Sequence, residues 1–317
     1  MIYIEDFREG DRISGVYLCK TKVNAKTKTG KSYYSLTLQD RTGLVDAKIW
    51  DLSSGIDHFE AMDYIHVEGE ATVFQGAIQA NIRRVRRAHE GEYDPADYLP
   101  TSPYSEEDMF KKVLFFIGTV KNEYLRTLLE KFFVEDREFA AAFRKHSAAK
   151  SVHHSFVGGL LQHTVRVTEM CEFYCQRYLM LQRDLLITGA LLHDIGKLKE
   201  ISAFPANDYT DDGNLLGHIA MGFEMVMEKG RQIPGFPPKL LSELGHMILS
   251  HHGELEYGSP KKPALIEALA LHLADNTDAK LQSMSEILDR AVEGDAWLGN
   301  QRLFDTNIRR TTDPSRL

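Results

Sequence analysis

The stretch Ala190-Leu191-Leu192-His193-Asp194-Ile195-Gly196-Lys197 sets an imidazole and a carboxylate side by side at the end of an apolar run that begins at Leu185. The run predicts a buried helix over 185–192. Burying an adjacent His–Asp pair is costly unless something compensates, and a divalent cation does so. The dipeptide alone is equally compatible with a helix C-terminal histidine beside a solvated aspartate.

The rest of the chain supplies company for the pair. His163 lies on an amphipathic stretch, Gly158-Gly159-Leu160-Leu161-Gln162-His163-Thr164. His218 lies in Leu216-Gly217-His218-Ile219-Ala220, His251 and His252 in Leu249-Ser250-His251-His252-Gly253, and Asp275 in Leu271-His272-Leu273-Ala274-Asp275-Asn276. A single histidine on an apolar helical face is more often a hydrogen-bonded core residue than a ligand. Five separate instances in the order H…HD…H…HH…D predict one shared metal pocket. The surrounding periodicity is helical from about Glu106, as in Leu125, Leu128, Leu129, Phe132 and Phe133.

Residues 1–90 read differently. Tyr33-Tyr34-Ser35-Leu36-Thr37-Leu38 alternates, Gln39-Asp40-Arg41-Thr42-Gly43 turns, and Leu44-Val45-Asp46-Ala47-Lys48-Ile49-Trp50 alternates again. The period-two pattern returns at 64–74 and 77–82, so a small closed sheet is expected. Pro95, Pro100 and Pro103, among acidic residues and serines, mark 91–105 as a linker. The expected organisation is a β domain over 1–90, a linker over 91–105, a helical domain over 106–300 and a tail over 301–317. The tail holds four arginines and little apolar content, and reads as either a disordered end or an extra RNA contact.

Composition bounds the options. The chain has 317 residues, 43% apolar and 26% charged, which excludes full disorder. Its longest uncharged apolar run, near 113–118, is far too short for a bilayer, so no membrane partner is expected. No basic-then-apolar leader is visible, and Cys19, Cys171 and Cys175 build no disulfide framework, so the expected location is cytoplasmic. The net charge of −8 falls entirely behind residue 90, because residues 1–90 hold 13 basic and 13 acidic side chains. Basic residues cluster in that neutral part, at Lys20, Lys22, Lys26, Lys28 and Lys31 and again at Arg83, Arg84, Arg86 and Arg87. The second cluster reads either as phosphate contacts or as a charged edge strand.

Segment 12–87 resembles the nucleic-acid-binding OB-fold family. The resemblance rests on the run from Tyr33 to Asp40, the turn Arg41-Thr42-Gly43, the strand from Leu44 to Trp50, and Gly76…Gln79…Asn81-Ile82. It implies a single-stranded RNA or DNA partner, with bases stacking on aromatic faces and phosphates meeting a basic groove. Tyr33, Tyr34, Trp50 and Phe74 are the aromatic candidates, and Lys20, Lys22, Lys26, Lys28, Lys31 and Lys48 the basic ones. The alternatives, aromatics in the core and lysines on a solvated loop, stay open at this stage.

The ordered histidines and aspartates resemble the HD-domain metal-dependent phosphohydrolases, an all-α fold. More closely, His153-His154-Ser155-Phe156-Val157-Gly158-Gly159-Leu160-Leu161-Gln162-His163-Thr164, the segment SHHGELEYGSP at 250–260 and ALALHLADNTDAK at 268–280 are similar to the YhaM-type 3′–5′ exoribonuclease family. That family joins an N-terminal OB-fold barrel to an all-α HD domain. The resemblance implies a metal-dependent 3′–5′ exoribonuclease acting on single-stranded RNA, with DNA as an option, and releasing nucleoside monophosphates. It implies two divalent ions, manganese first, with iron, cobalt or zinc as alternatives. His163, His193, Asp194 and Asp275 would hold one ion, and Asp194, His218 and His251 the other. A one-ion site lacking the second set is the simpler variant.

Adjacent helical residues point about 100° apart, so His251 and His252 are expected to do different jobs. His252 is assigned to the substrate phosphate or an outer position. Lys197 is placed to offset phosphate charge, making Asp194, Lys197 and His252 the expected catalytic set. His153 and His154 are expected near the product or a ligand, and Glu254 and His272 behind the ligands. Two rival functions remain. One is an HD phosphodiesterase acting on a cyclic dinucleotide or nucleotide; the other is a non-catalytic RNA-binding protein. Self-association is left open.

Overall fold

A computed structural model of the chain describes residues 2–27, 29–99, 101–150, 154–291 and 296–312. Lys28 and His153, both singled out above, lie outside the described residues. The chain divides into two units, Met1–Thr101 with Phe204–Ala206, and Ser102–Ala203 with Asn207–Leu317.

The alternation in the first unit produces five strands, β1 (Arg12–Lys26), β2 (Ser32–Asp40), β3 (Gly43–Ile49), β4 (Tyr64–Phe74) and β5 (Ala77–Arg87). They close into a barrel in the order β1-β2-β3-β5-β4. All pairs are antiparallel except β3 with β5, where Asp46, Ala47 and Lys48 face Gln79, Ala80 and Asn81. This is the architecture of an OB-fold barrel. Leu36 and Leu38 from β2, Val45, Ala47 and Ile49 from β3, and Ile65, Val67 and Ala71 from β4 fill its interior. Successive side chains on a strand point to opposite faces, so Tyr33, Ser35, Thr37, Asp46 and Lys48 lie on the outer surface.

Two expectations are corrected here. The stretch read as a linker packs onto the barrel as far as Leu99. Tyr93 stacks on Tyr64 with ring centroids 4.0 Å apart, Tyr98 and Leu99 are buried, and the Gln39 side chain donates to the Tyr98 carbonyl at 3.0 Å. The proline and acid count overlooked the apolar surface that two tyrosines and a leucine bring. The arginines of β5 are not a free basic cluster. Arg83 pairs with Glu70, Arg84 with Glu68, Arg86 with Glu92 and Arg87 with Asp63.

The second unit is helical: α1 (Glu106–Thr119), α2 (Glu123–Glu130), α3 (Arg137–Lys145), α4 (Gly159–Arg177), α5 (Arg183–Leu192), α6 (Lys197–Glu200), α7 (Asp211–Arg231), α8 (Pro238–Ser250) and α9 (Ile266–Arg290). Its helix starts follow capping chemistry. Ser105, Asn122, Asp136 and Thr210 accept hydrogen bonds from the first-turn amides of α1, α2, α3 and α7. Every residue of α5 from Leu185 to Leu192 is buried, so this helix runs through the core with α4, α8 and α9 around it. No described helix is long and apolar enough to cross a membrane. The end of the segment expected to be helical and the start of the tail, read as a disordered end or an RNA contact, form a hairpin of β6 (Trp297–Gln301) and β7 (Thr306–Arg309). Ile308 is its buried anchor, a signal too short to register as periodicity.

Candidate metal centre and nucleic-acid face

The core helix α5 delivers His193 at its C-cap and Asp194 immediately after it. Both are buried. The His193 Nδ1–H donates to the Ala190 carbonyl at 2.8 Å, which leaves Nε2 as a lone pair facing the pocket. His163, from the buried face of α4, has its Nδ1 2.7 Å from Asp278 Oδ2. Its Nε2 lies 3.2 Å from Asp275 Oδ1, 3.4 Å from Asp194 Oδ2 and 3.2 Å from His193 Nε2. With both Nδ1 atoms already committed as donors, two nitrogen lone pairs would confront each other. A proton or a cation between them relieves that contact.

The opposite side of Asp194 repeats the arrangement. Its Oδ1 lies 3.5 Å from His218 Nε2 and 3.5 Å from His251 Nε2. His251 caps α8 and donates Nδ1–H to the Ile248 carbonyl at 2.7 Å. His218 is set by a break in α7. Gly217 has φ 73° and ψ 157°, a conformation essentially confined to glycine, and it interrupts the helical hydrogen bonding. Glu200 Oε1 captures both the freed backbone N–H of His218 and its Nδ1–H, each at 3.0 Å. Gly196 completes the local geometry. A Cβ there would stand 2.0 Å from the His218 carbonyl oxygen, so only glycine lets the turn carrying Asp194 sit against α7.

Asp194 thus presents one oxygen to His163 and His193 and the other to His218 and His251. Among the described residues, Asp194 Oδ1 and Nε2 of His218 and His251 have no hydrogen-bond partner, although all three atoms are buried, and Asp194 Oδ2 meets the Lys197 ammonium at 2.6 Å. Buried polar atoms left unmatched in this way are the exception in folded proteins. Imidazole nitrogens and carboxylate oxygens converging in one buried pocket fit divalent first-row metals. The Nδ1 bonds behind them are the outer contacts that fix a metal-binding histidine's tautomer.

The electrostatics agree. Burial alone would raise the Asp194 carboxyl, but the Lys197 ammonium, with Nζ 2.6 Å from Oδ2, and the neighbouring imidazoles hold it well below the usual carboxylate range. Burial would lower His163, but Asp194, Asp275 and Asp278 lift it well above the ordinary imidazole value. A cation and that proton compete for the same carboxylates. Burial lowers His251, and burial with the adjacent His251 lowers His252 to about 4.

The structure therefore gathers His163, His193, Asp194, His218, His251, Asp275 and Lys197 into one pocket. His252 stands at the edge of the same pocket. Its Nδ1–H is spent on the Tyr257 carbonyl at 2.8 Å, and its remaining ligand atom lies within 4.8 Å of those of His218 and His251. With Nδ1–H committed to Tyr257, His252 presents Nε2 beside His218 and His251. Glu254 stands apart, paired with Lys262 at 2.5 Å. His272 supports the site from behind, with Nδ1 2.9 Å from the His251 carbonyl. Glu200 and Asp278 were missed. Each stands three residues beyond a selected residue, Lys197 and Asp275, one helical turn further on. Asp278 also receives His154 Nε2 at 2.7 Å.

On the barrel, Trp50 stacks on Tyr33 with centroids 4.6 Å apart, and its indole N–H donates to Asn81 Oδ1 at 3.1 Å. Phe74 is exposed, as are Lys20, Lys26 and Lys31. Two lysines are already engaged. Lys22 donates to the Phe59 carbonyl at 2.5 Å over the Tyr34 and Phe59 rings, and Lys48 bridges Ser35 and Asp46. Lys22 is accordingly a structural residue.

Residues 160–280 match the HD domain family model. The fold and site together define an OB-fold barrel joined to an HD domain. Over 294 residues, 92% of this chain and 90% of the relative, the sequence is 33% identical to the 3′–5′ exoribonuclease YhaM of Geobacillus sp. (strain WCH70). The chain belongs to the YhaM family. Among solved structures, the second OB-fold domain of replication protein A from Methanococcus maripaludis is similar over 28% of this chain and 96% of its own, at 16% identity and a TM-score of 0.22. A replication protein A heterotrimer bound to ssDNA is similar over 26% and 59%, at 16% identity and a TM-score of 0.21. The barrel assignment rests on the strand order, to which scores this low add nothing.

Proposed function

We propose that this chain is a metal-dependent 3′–5′ exoribonuclease that hydrolyses single-stranded RNA to nucleoside monophosphates, with single-stranded DNA as a second substrate. The observation that carries the reading is the buried Asp194 carboxylate, each oxygen aimed at a different pair of imidazole nitrogens, with Oδ1 left without a hydrogen bond and Oδ2 beside the Lys197 ammonium alone. Family membership supports RNA as the substrate and the 3′ end as the point of attack.

His163, His193, Asp194 and Asp275 would hold one divalent ion, manganese being the first candidate. Asp194, His218 and His251 would hold a second, with His252 offering a further nitrogen. When bound, such ions supply Lewis acidity for hydrolysis of a phosphodiester. The remaining work belongs to the chain. Asp278, Glu200 and the Ala190 and Ile248 carbonyls hold the imidazoles in the tautomer that presents Nε2. Lys197 brings a positive charge beside Asp194, where it can meet a phosphate oxygen. The Tyr33–Trp50 stack and the exposed Lys20, Lys26 and Lys31 form a platform for bases and phosphates of a single strand.

A time course on RNA labelled at the 5′ or the 3′ end tests this. With 3′ label, labelled monophosphate should appear at once; with 5′ label, a descending ladder should appear first. Asp194→Asn should abolish both while retaining RNA binding. Full activity in that variant, or 5′-first release, would remove the reading.

A further inference from the structure

The hairpin of β6 and β7 carries a feature that the site does not use. Trp297 and Arg309 are cross-strand partners, so their side chains share one face of the hairpin. Both are exposed, Trp297 by 59%, while Ile308 on the other face is buried. The Arg309 guanidinium lies 6.0 Å from the centroid of the Trp297 ring. Leu303 and Arg302 project from the turn between the strands. Among the described residues neither Arg302 nor Arg309 makes an ion pair, in contrast to all four arginines of β5. Arg309 lies beside the indole and also donates to the Arg310 carbonyl at 3.1 Å, while Arg302 stands at the opposite end of the hairpin, both on a region that carries the chain's whole excess of acid. The Arg310 guanidinium reaches back to the helix, donating to the Leu288 carbonyl near the end of α9 at 2.8 Å.

That last bond ties the residue after the hairpin to the helix end about four turns beyond Asp275. It anchors the hairpin to the helix that carries Asp275. From Asp275 to Leu288 the α9 axis rises about 20 Å, at about 1.5 Å per residue. A stacked single strand, rising roughly 3.4 Å per nucleotide, covers that span in about six nucleotides.

We propose that the β6–β7 hairpin is a second single-strand contact, in which Trp297 stacks on a base about six nucleotides from the reacting 3′ end, Arg309 meets the phosphate beside that base and Arg302 a phosphate further along the strand. It rests on the nuclease reading for the position of that end. An aromatic face is sequence-tolerant and adds binding without base preference. The hairpin therefore holds the body of a long strand while its end is shortened, and lets go once fewer than about six nucleotides remain.

The test is a binding series on single-stranded RNA of 2 to 20 nucleotides. It uses the full-length chain carrying Asp194→Asn, so that nothing is hydrolysed, and fluorescence anisotropy as readout. The affinity should step up when the length passes about six nucleotides. Adding Trp297→Ala should remove that step and weaken 20-mer binding about tenfold, while Trp297→Phe should keep most of it. Adding Arg302→Gln and Arg309→Gln should reduce the slope of log affinity against log salt by about 0.7 for each phosphate left without its arginine. An unchanged length profile and salt slope in these variants overturns the proposal. That result is separable from failure of the nuclease reading, in which the unsubstituted chain releases no monophosphate from RNA.

Discussion

Asp278 Oδ2 lies 2.7 Å from His163 Nδ1 and forces that imidazole to present Nε2 to the pocket. The same oxygen holds His154, and Arg166 stands 3.6 Å from the other one. One carboxylate therefore sets the tautomer of a histidine proposed to hold a metal ion. Removing such an outer partner typically costs ten- to a hundred-fold in metal affinity. Asp278→Ala should shift the manganese dependence of RNA hydrolysis to higher concentration by a factor of about 10–100, and Asp278→Asn by less. A titration identical to that of the unsubstituted chain contradicts the role.

Glu200 does two jobs with one oxygen, binding the Nδ1–H of His218 and the backbone N–H that the kink at Gly217 releases. Leaving a buried donor unmatched costs about 1–3 kcal/mol. Glu200→Ala should lower unfolding stability by that amount and raise the metal requirement. Glu200→Gln keeps an acceptor and should recover most of the stability. Equal losses in both variants, measured by urea unfolding, would show that the charge alone matters.

Asp136 supplies a pH test away from the metal centre. It caps α3 by accepting the Phe139 N–H at 3.0 Å, and Lys229 stands 3.0 Å from its other oxygen. The amide contact first, then the ammonium, lowers its carboxyl below the ordinary value. A depressed carboxyl stabilises the fold above the unfolded pKa of about 3.9, and that contribution is lost as pH falls through the folded value. Asp136→Ala should cost about 1 kcal/mol at pH 7, as cap removal does. The difference should shrink as the pH drops below about 4. A gap that stays constant down to pH 2 contradicts this origin.

The barrel lysines divide in a way that RNA binding can read. Lys26 and Lys31 are exposed, whereas Lys22 is held on the Phe59 carbonyl. Replacing Lys26 and Lys31 by Gln should reduce the salt dependence of single-strand binding. Lys22→Gln should leave that slope unchanged and lower thermal stability instead. Trp50→Ala should weaken binding roughly tenfold, within the range for one stacked base. The reverse pattern would move the binding face elsewhere on the barrel.

Much of this was legible from sequence because two periodicities dominate it. Alternation over 33–50 and 64–82 gave the strands, and the histidines and aspartates stood out because polar residues on apolar helices need a reason. What stayed hidden depends on contacts that no local pattern encodes. Lys22 looked like its neighbours until Phe59 and Tyr34 came beneath it. Glu200 became visible only once Gly217 had broken α7 beside it. Tyr93 and Tyr98 drew a proline-rich stretch onto the barrel, and a single buried Ile308 holds a hairpin in what read as a tail.

The most direct test of the central claim is a count of tightly bound manganese per chain after equilibrium dialysis, made on the unsubstituted protein and on Asp194→Asn. If Asp194 shares its two oxygens between two sites, the unsubstituted chain should retain two ions, and the variant fewer than one. Two ions retained without the Asp194 carboxylate, or none in the unsubstituted chain, would contradict the account.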